Sequence, residues 1–322
     1  MMRPVVLSAL WLVGCTVLAG LALRQGLGDE LRVGRYTGYV MPWLLLGVVP
    51  GAVWAWRMRA RALSAVLGVS AAMIAIAHVP LVERRGAVRP PSPLTLSVLT
   101  YNTWSENRDH RKIARVVLGH APDLVLLQEV PPDVFDRVMG LLGDLYGGSD
   151  VHGAYEPTIR QAVVSRYPLS ASAAMKDKGQ AQKVVLRTPA GPVTVLNVHP
   201  LRDGGWRRRY DQMAALLEED VLPERTPVIL GGDVNAPEHS QVYGLIAAHL
   251  ENAQRAAGSG FGFTYPAAGL RLLGVVPAFP VVRIDHVFFS RHFVALRAET
   301  LQDSGGSDHR PVLAVLAVLE SE

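Results

Sequence analysis

Three long apolar runs open the chain. Val5–Leu23 and Tyr36–Trp56 hold no charged residue, and Ala62–Val82 holds only His78 as a titratable group. Each is about 20 residues, enough for a helix rising about 1.5 Å per residue to cross a hydrocarbon core of roughly 30 Å. Trp43, Trp54, Trp56, Tyr36 and Tyr39 fall toward the ends of the second run, where amphipathic rings prefer the membrane interface. A buried helical core is the alternative, and the first run alone would also serve as a cleaved signal peptide. Three uncharged runs joined by short Arg-bearing loops favour a retained anchor. Residues 83–93 (Glu-Arg-Arg-Gly-Ala-Val-Arg-Pro-Pro-Ser-Pro) read as a stiff, extended linker. From Leu94 the pattern changes to short β-rich runs alternating with helical stretches. The expected strands are Leu94–Tyr101, Leu124–Gln128, Gln161–Ser165, Val184–Thr188, Val193–His199, Val228–Gly231, Ile284–Phe289 and Val312–Val318. The expected helices are Arg108–Gly119, Pro132–Leu142 and Trp206–Leu222. Several strands are apolar throughout, which predicts sheets covered on both faces with helices outside. The organisation is thus an anchor over 1–82, a linker over 83–93 and one α/β domain over 94–322.

Charge divides at the same place. Of 32 basic and 28 acidic residues, residues 1–89 hold ten Arg and three acids, a net of +7, which leaves a net of −3 for the remainder. The basic balance therefore belongs to the anchor, and the mildly acidic domain carries no broad field for a polyanion such as duplex DNA. The loop Arg57-Met58-Arg59-Ala60-Arg61 favours the cytoplasmic side. That orientation puts the C-terminal domain outside the plasma (inner) membrane, although Arg24, Arg32, Arg35, Arg84, Arg85 and Arg89 then lie outside as well. The lone cysteine, Cys15, excludes an intramolecular disulfide and a zinc site built on several cysteines.

Six strand-end segments carry candidate chemistry: Leu-Thr-Tyr-Asn-Thr-Trp (99–104), Leu-Leu-Gln-Glu-Val (126–130), Leu-Asn-Val-His-Pro (196–200), Ile-Leu-Gly-Gly-Asp-Val-Asn-Ala (229–236), Arg-Ile-Asp-His-Val-Phe-Phe (283–289) and Ser-Asp-His-Arg-Pro (307–311). Singly, each has a bland explanation as a turn, a helix cap or a structural histidine. Asp285 is harder to dismiss, because an unpaired carboxylate inside an apolar strand is costly. Together they point to one shared site, since sheet-based enzymes gather such groups at strand ends. His286 should face away from Asp285 on a regular strand and reads as structural. Arg202 and the run Trp206-Arg207-Arg208-Arg209-Tyr210 form a basic-aromatic segment that would grip a second phosphate or a nucleic-acid strand, or simply begin a solvated helix. Gly269–Val282 is an unusually apolar loop that packs internally or touches lipid.

The ordered set Asn, Gln-Glu, Asn-x-His, Gly-Asp-x-Asn, Ile-Asp-His, Ser-Asp-His resembles the endonuclease/exonuclease/phosphatase superfamily from about Leu96 to Leu316, and Ala-Val-Val-Ser-Arg-Tyr-Pro-Leu (162–169) resembles its central strand and turn. The resemblance implies a four-layer α/β sandwich with two mixed sheets, and hydrolysis of a phosphoester by direct attack of water, with no Ser or Cys nucleophile. It implies Mg²⁺ or Mn²⁺ held by Glu129, with Asn102 and Asp308 near the ion. Asp233 would orient and deprotonate the water, and Asn235 would hold a phosphate oxygen. His199 and His309 would stabilise charge on the transferring group, and Asp285 would fix His309. Arg202, Arg207 and Arg208 are the substrate-binding candidates.

Three apolar helices followed by this domain also look like bacterial membrane proteins of the vancomycin/teicoplanin-resistance type (VanJ/StaP-like). That likeness implies a multi-pass membrane enzyme whose partners are the bilayer and a polyprenyl or other lipid phosphate or pyrophosphate, with no obligate protein partner. The alternative readings are an anchored nuclease acting on DNA or RNA, and a catalytically inactive receptor or scaffold.

Overall fold

A computed structural model of the chain describes residues 2–82, 94–145, 151–201, 205–267 and 280–319. The expected linker, Arg202 and most of the apolar stretch 269–282 lie outside the described residues. The chain forms two compact units, Met1–Glu83 with His239–Gln241, and Arg84–Glu238 with Val242–Glu322.

The first unit is helical: α1 (Met2–Leu27), α2 (Arg32–Arg57) and α3 (Arg61–Val82). Within them Pro4–Arg24, Gly38–Arg57 and Arg61–His78 are long and apolar enough to cross a membrane. Val17, Leu21, Met41, Val48, Leu63, Leu67 and Ile74 form the seam between the helices. Leu12, Leu46, Val69 and Ile76 point outward and are exposed. A bundle apolar on its outside as well as its inside suits a hydrocarbon solvent.

The second unit contains two six-stranded sheets. The strands are β1 (Thr95–Asn102), β2 (Leu124–Gln128), β3 (His152–Glu156), β4 (Gln161–Ser165), β5 (Ala173–Met175), β6 (Ala181–Thr188), β7 (Gly191–Val198), β8 (Val228–Asp233), β9 (Glu251–Asn252), β10 (Asp285–Phe289), β11 (Phe293–Thr300) and β12 (Val312–Val318). The first sheet runs β11-β12-β1-β2-β4-β3, the second β5-β6-β7-β8-β10-β9. Both are mixed: β1 with β2 and β7 with β8 are parallel, and the flanking pairs are antiparallel. The helices are α4 (His110–His120), α5 (Pro132–Leu145), α6 (Gly205–Leu216, continued by a π turn over Leu217–Val221), α7 (Gln241–Ala247) and α8 (Ala253–Ala257).

The period of two along each strand makes the layers. In β1 and β2, Leu96, Val98, Leu124 and Leu126 face the second sheet and meet Val184, Val195, Ile229 and Val287. Leu99, Tyr101, Val125 and Leu127 face outward and are covered by Ile113 and Val117 of α4 and Val134 and Val138 of α5. On the far side Leu196, Val198, Leu230 and Phe288 are covered by Met213 and Leu216 of α6 and Val242 and Ile246 of α7. Strands buried on both faces read as unbroken apolar runs. The sheets covered by helices are therefore as the pattern predicts, and the two mixed sheets are as the resemblance implies.

β2, β4 and β12 match their expected limits. Strands β3, β5, β9 and β11 have no counterpart among the expected elements. All four lie at or next to a sheet edge or are very short. β3 presents no buried face, β5 is largely exposed, and β11 carries a bulge between Ala295 and Arg297 that breaks the alternation.

A buried amide network ties the sheets together. Gln128 donates to Asn197 Oδ1 at 2.7 Å, and Asn197 Nδ2 donates to the carbonyls of Leu127 and Ala162 at 3.0 and 3.1 Å. Asn197 and Gln128 are thus structural, and each stands one or two residues before a site residue. Gly232, at φ +153, is as constrained. A Cβ there would collide with the carbonyl oxygen of Val198 on the neighbouring strand. Gly232→Ala should therefore destabilise the domain by about 1–3 kcal/mol or more, measurable by chemical denaturation.

Candidate active site

Strand direction gathers the site. β1 and β2 are parallel, with Asn102 paired to Gln128, so Asn102 and Glu129 emerge at the same end of the first sheet. β7 and β8 are parallel, with Val198 paired to Gly232, so His199 and Asp233 emerge together from the second. β10 runs antiparallel to β8 and begins at that end, setting Asp285 directly opposite Asp233. β12 runs antiparallel to β1, so the loop before it returns Ser307, Asp308 and His309 to the same end.

Side-chain contacts close the group. Asn102 Nδ2 donates to Glu129 Oε1 at 3.2 Å and to Asp233 Oδ2 at 3.1 Å, while Asn102 Oδ1 accepts from the Trp104 N–H. The amide thus orients both acids in this arrangement. Glu129 Oε2 accepts from the Ser105 N–H at 3.0 Å. His199 Nε2 lies 3.4 Å from Glu129 Oε1 and 3.6 Å from Asp233 Oδ2. His309 Nδ1 meets Asp285 Oδ2 at 2.9 Å, and its Nε2 lies 3.7 Å from Asp233 Oδ2. Asn235 gives its backbone N–H to Asp233 Oδ1 at 2.8 Å, and its side-chain amide donates to the Pro200 carbonyl at 3.2 Å. Glu129 and Asn235 are both left-handed, at φ 55 and 53. Non-glycine residues avoid that region, and such outliers concentrate at functional sites.

Electrostatics follow from burial and pairing. Burial opposes charge on Asp233, but His309, His199 and the Asn235 N–H hold its carboxyl well below the usual carboxylate range. Burial likewise opposes charge on His309, yet Asp285 and Asp233 push it up to about 10. His199 is raised too, against burial, by Asp233 and Glu129. Glu129 is lowered, against burial, by His199, the Ser105 N–H and Asn102. Pairing thus favours the charged forms of His199, His309, Asp233 and Glu129, while burial raises the carboxyl of Asp285. Asp308 behaves likewise: burial and then the nearby Glu129 charge raise its carboxyl, and its Oδ1 is buried with no hydrogen-bond partner among the described residues. A second acidic cluster, Asp233, Asp285 and His309, brings ligand-type atoms within 4.8 Å of one another and could hold a cation. In this arrangement, however, both nitrogens of the His309 ring already face carboxylates.

The structure thus brings together Asn102, Glu129, His199, Asp233, Asn235, Asp285 and His309, with Asp308 beside them. Arg207 and Arg208 are exposed on α6, and the Arg207 guanidinium stacks 5.0 Å above the Trp206 ring. His286 is fully buried against Tyr243 and Phe288, with Nε2 3.1 Å from the Ala236 carbonyl oxygen, and burial pushes it down to about 3. It is a structural histidine.

Two supports escape the sequence reading. Ser307 Oγ donates to the Asn102 carbonyl at 2.7 Å and accepts the His309 N–H at 3.0 Å, locking the last loop onto β1. Thr264 Oγ1 accepts the backbone N–H groups of Ile284 and Asp285 at 3.2 and 3.4 Å, and Tyr265 packs its ring on His309. A buried threonine between Phe263 and Tyr265, ahead of Pro266, is the signal available for the second.

A family model described as Endonuclease/Exonuclease/phosphatase family matches residues 99–309. No curated protein matches the chain significantly. Among solved structures, an endonuclease/exonuclease/phosphatase from Bacteroides vulgatus is similar at 19% identity and TM-score 0.57, covering 70% of this chain and 99% of its own. A mannosyl-6-phosphatase of Bacteroides thetaiotaomicron is similar at 19% identity and TM-score 0.54, covering 69% and 99%. Truncated TDP2 of Caenorhabditis elegans is similar at 17% identity and TM-score 0.53, covering 71% and 100%. At these identities the likeness is one of fold.

Proposed function

The chain belongs to the endonuclease/exonuclease/phosphatase family, and from that premise we propose that it is a membrane-anchored, divalent-metal-dependent phosphoesterase that hydrolyses a lipid-linked phosphoester or pyrophosphate by direct attack of water. One observation carries the reading. The buried Asp233 carboxylate, its pKa held down by its partners, has two histidine nitrogens within 3.7 Å and stands beside Glu129 through the shared Asn102 amide. A binding protein has no need of a water-activating acid between two charge-stabilising histidines, which argues against an inactive scaffold.

Each residue has a task. Asp233 orients the attacking water and takes its proton. His199 and His309, both shifted toward the charged form, donate to the non-bridging oxygens as negative charge develops there. Asp285 fixes the orientation and charge of His309. Asn235 closes the loop after His199 onto Asp233 and would hold a phosphate oxygen.

The donor set near Glu129 fits a hard divalent cation such as Mg²⁺ or Mn²⁺, since it consists of carboxylate oxygens, one of them the unpartnered Asp308 Oδ1. Glu129 and Asp308 would hold the ion, and Asn102 would orient Glu129. When bound, it would neutralise the phosphate and polarise a phosphoryl oxygen.

The substrate follows from the anchor. Three apolar helices keep the domain at a bilayer, where lipid-linked phosphates are concentrated, and the domain's net negative charge does not draw a polynucleotide. Likeness to the glycopeptide-resistance type favours a polyprenyl phosphate and an extracytoplasmic domain at the plasma membrane. A nuclease is the second reading, favoured by the exposed Arg207 and Arg208 beside Trp206.

Full-length protein in detergent micelles with Mg²⁺ should release phosphate from lipid phosphates, and chelation should abolish release. Intact lipid phosphates alongside rapid cutting of plasmid DNA would overturn the lipid reading in favour of the nuclease. In that case charge reversal at Arg207 and Arg208 should abolish cutting and flatten its salt dependence.

A further inference from the structure

Beside Glu129 and His199 lies an open cavity of about 250 Å³, also lined by Ser105, Thr158, Ile159, Arg160 and Gln180. Its far wall is the turn between β3 and β4, carrying Thr158 and Arg160, together with Gln180 at the entrance to β6. None of these three belongs to the catalytic group described above.

The walls are built with care. The Arg160 carbonyl accepts the N–H of Val130, the residue after Glu129, at 3.0 Å. The Gly179 carbonyl accepts the His199 N–H at 3.2 Å, and the Gln180 carbonyl accepts the Gln161 amide at 2.5 Å. Both walls are thereby pinned to the catalytic strands. Glu129, Arg160 and Gln180 are all left-handed, at φ 55, 51 and 46. Three non-glycine residues in that region around one cavity mark a backbone held for a purpose. The Arg160 guanidinium is exposed and takes part in no hydrogen bond or ion pair among the described residues.

The lining has a definite chemistry. A guanidinium fork matches phosphoryl oxygens in two-point geometry. The Thr158 hydroxyl and the Gln180 amide add neutral donors. Water occupies about 30 Å³ per molecule, so the volume takes a phosphoryl group with several waters.

We propose that this cavity seats a second phosphoryl group, held by Arg160 with Thr158 and Gln180, and that the enzyme therefore selects a diphosphate ester over the matching monoester. The inference rests on the phosphoesterase reading. Water forms a bond to the terminal phosphorus, and the bond from that phosphorus to the bridging oxygen breaks. The water proton passes to Asp233, and the electron pair leaves with the bridging oxygen of the phosphoryl group in the cavity. The products are inorganic phosphate and the monophosphate ester.

The test uses full-length protein in detergent micelles with Mg²⁺, an alkyl diphosphate, the alkyl monophosphate of the same chain length, and a short single-stranded DNA. The wild type should favour the diphosphate in kcat/KM. Arg160→Ala should cut the diphosphate-to-monophosphate ratio about tenfold, chiefly through the diphosphate KM, and Arg160→Lys should restore part of it. An unchanged ratio would overturn the proposal, as would a loss confined to the DNA, which would make the cavity a strand contact. Calorimetric binding of a non-hydrolysable methylene diphosphonate, weakened about tenfold by Arg160→Ala, reads the seat without turnover. Binding indifferent to Arg160 overturns it. Asp233→Asn separates the two readings: wild-type turnover in that variant ends the phosphoesterase reading, whereas a normal Asp233 result with an inert Arg160 ends only the cavity assignment.

Discussion

The Asp233→Asn variant should lose about 10²–10⁴-fold in kcat for phosphoester hydrolysis, the range expected when a positioned general base is removed. Asparagine keeps the volume and can still accept the Asn235 N–H that now bonds Asp233 Oδ1. It cannot take the water proton. Its amide nitrogen would also face donors, because Asn102 Nδ2 lies 3.1 Å away and two imidazole nitrogens lie within 3.7 Å. The two histidines lose the carboxylate that helps keep them charged, so the variant removes a base and weakens two acids together. Steady-state kinetics on the best lipid phosphate checks the loss. A thermal melt separates it from misfolding. Near wild-type turnover in a folded variant would remove Asp233 from the chemistry.

The second large effect belongs to Asp285→Asn. His309 sits between Asp285 and Asp233, and their charges, led by Asp285, push its pKa up to about 10. The imidazolium is populated below that pKa. Activity that depends on it is therefore retained at neutral pH and lost as pH rises through about 10. Without Asp285 the His309 pKa falls, and the basic limb of the pH–rate profile should move to lower pH. At neutral pH kcat should fall by about 10²–10³-fold, the cost of losing one preorganised donor to the transition state. The same pair contributes stability that is fully present below the unfolded histidine pKa of about 6.5 and is lost as pH rises through the folded value. Melts of wild type and variant should accordingly differ most at neutral to acidic pH and converge at strongly alkaline pH. A limb left in place by Asp285→Asn would show that His309 draws its charge from elsewhere.

Much of this site is legible in the sequence because strand ends advertise it. An apolar strand that stops at Asn102, Glu129, His199 or Asp233 displays both the scaffold and the group it delivers. Asp285 is legible for the opposite reason, as a charge where a strand should be dry. The sheets are readable where both faces are buried, as in β2, β4 and β12. They are unreadable at the margins, where β3 and β5 pack little apolar surface and β11 is bulged. The supports are the least legible part. Gln128, Asn197 and Ser307 stand inside the motifs, but their supporting contacts, like that of Thr264, are to groups far away in the chain, so their roles are not readable locally. Arg160 is hidden in the same way, because its partner walls meet only after β4 and β6 are placed. The Arg207–Arg208 run, conspicuous as a string, lies on an exposed helical face, with the Arg207 guanidinium over the Trp206 ring.

The sharing of the pocket between sheets has a practical consequence. Asn102 and Glu129 arrive in the first third of the domain, and every other residue of the candidate site arrives after β6. A chain cut in the loop between β4 and β5 would yield two fragments, neither containing a working constellation. Turnover would return only when the pieces found each other, so such a pair would serve as a switchable enzymatic reporter of proximity, silent until its halves are brought together.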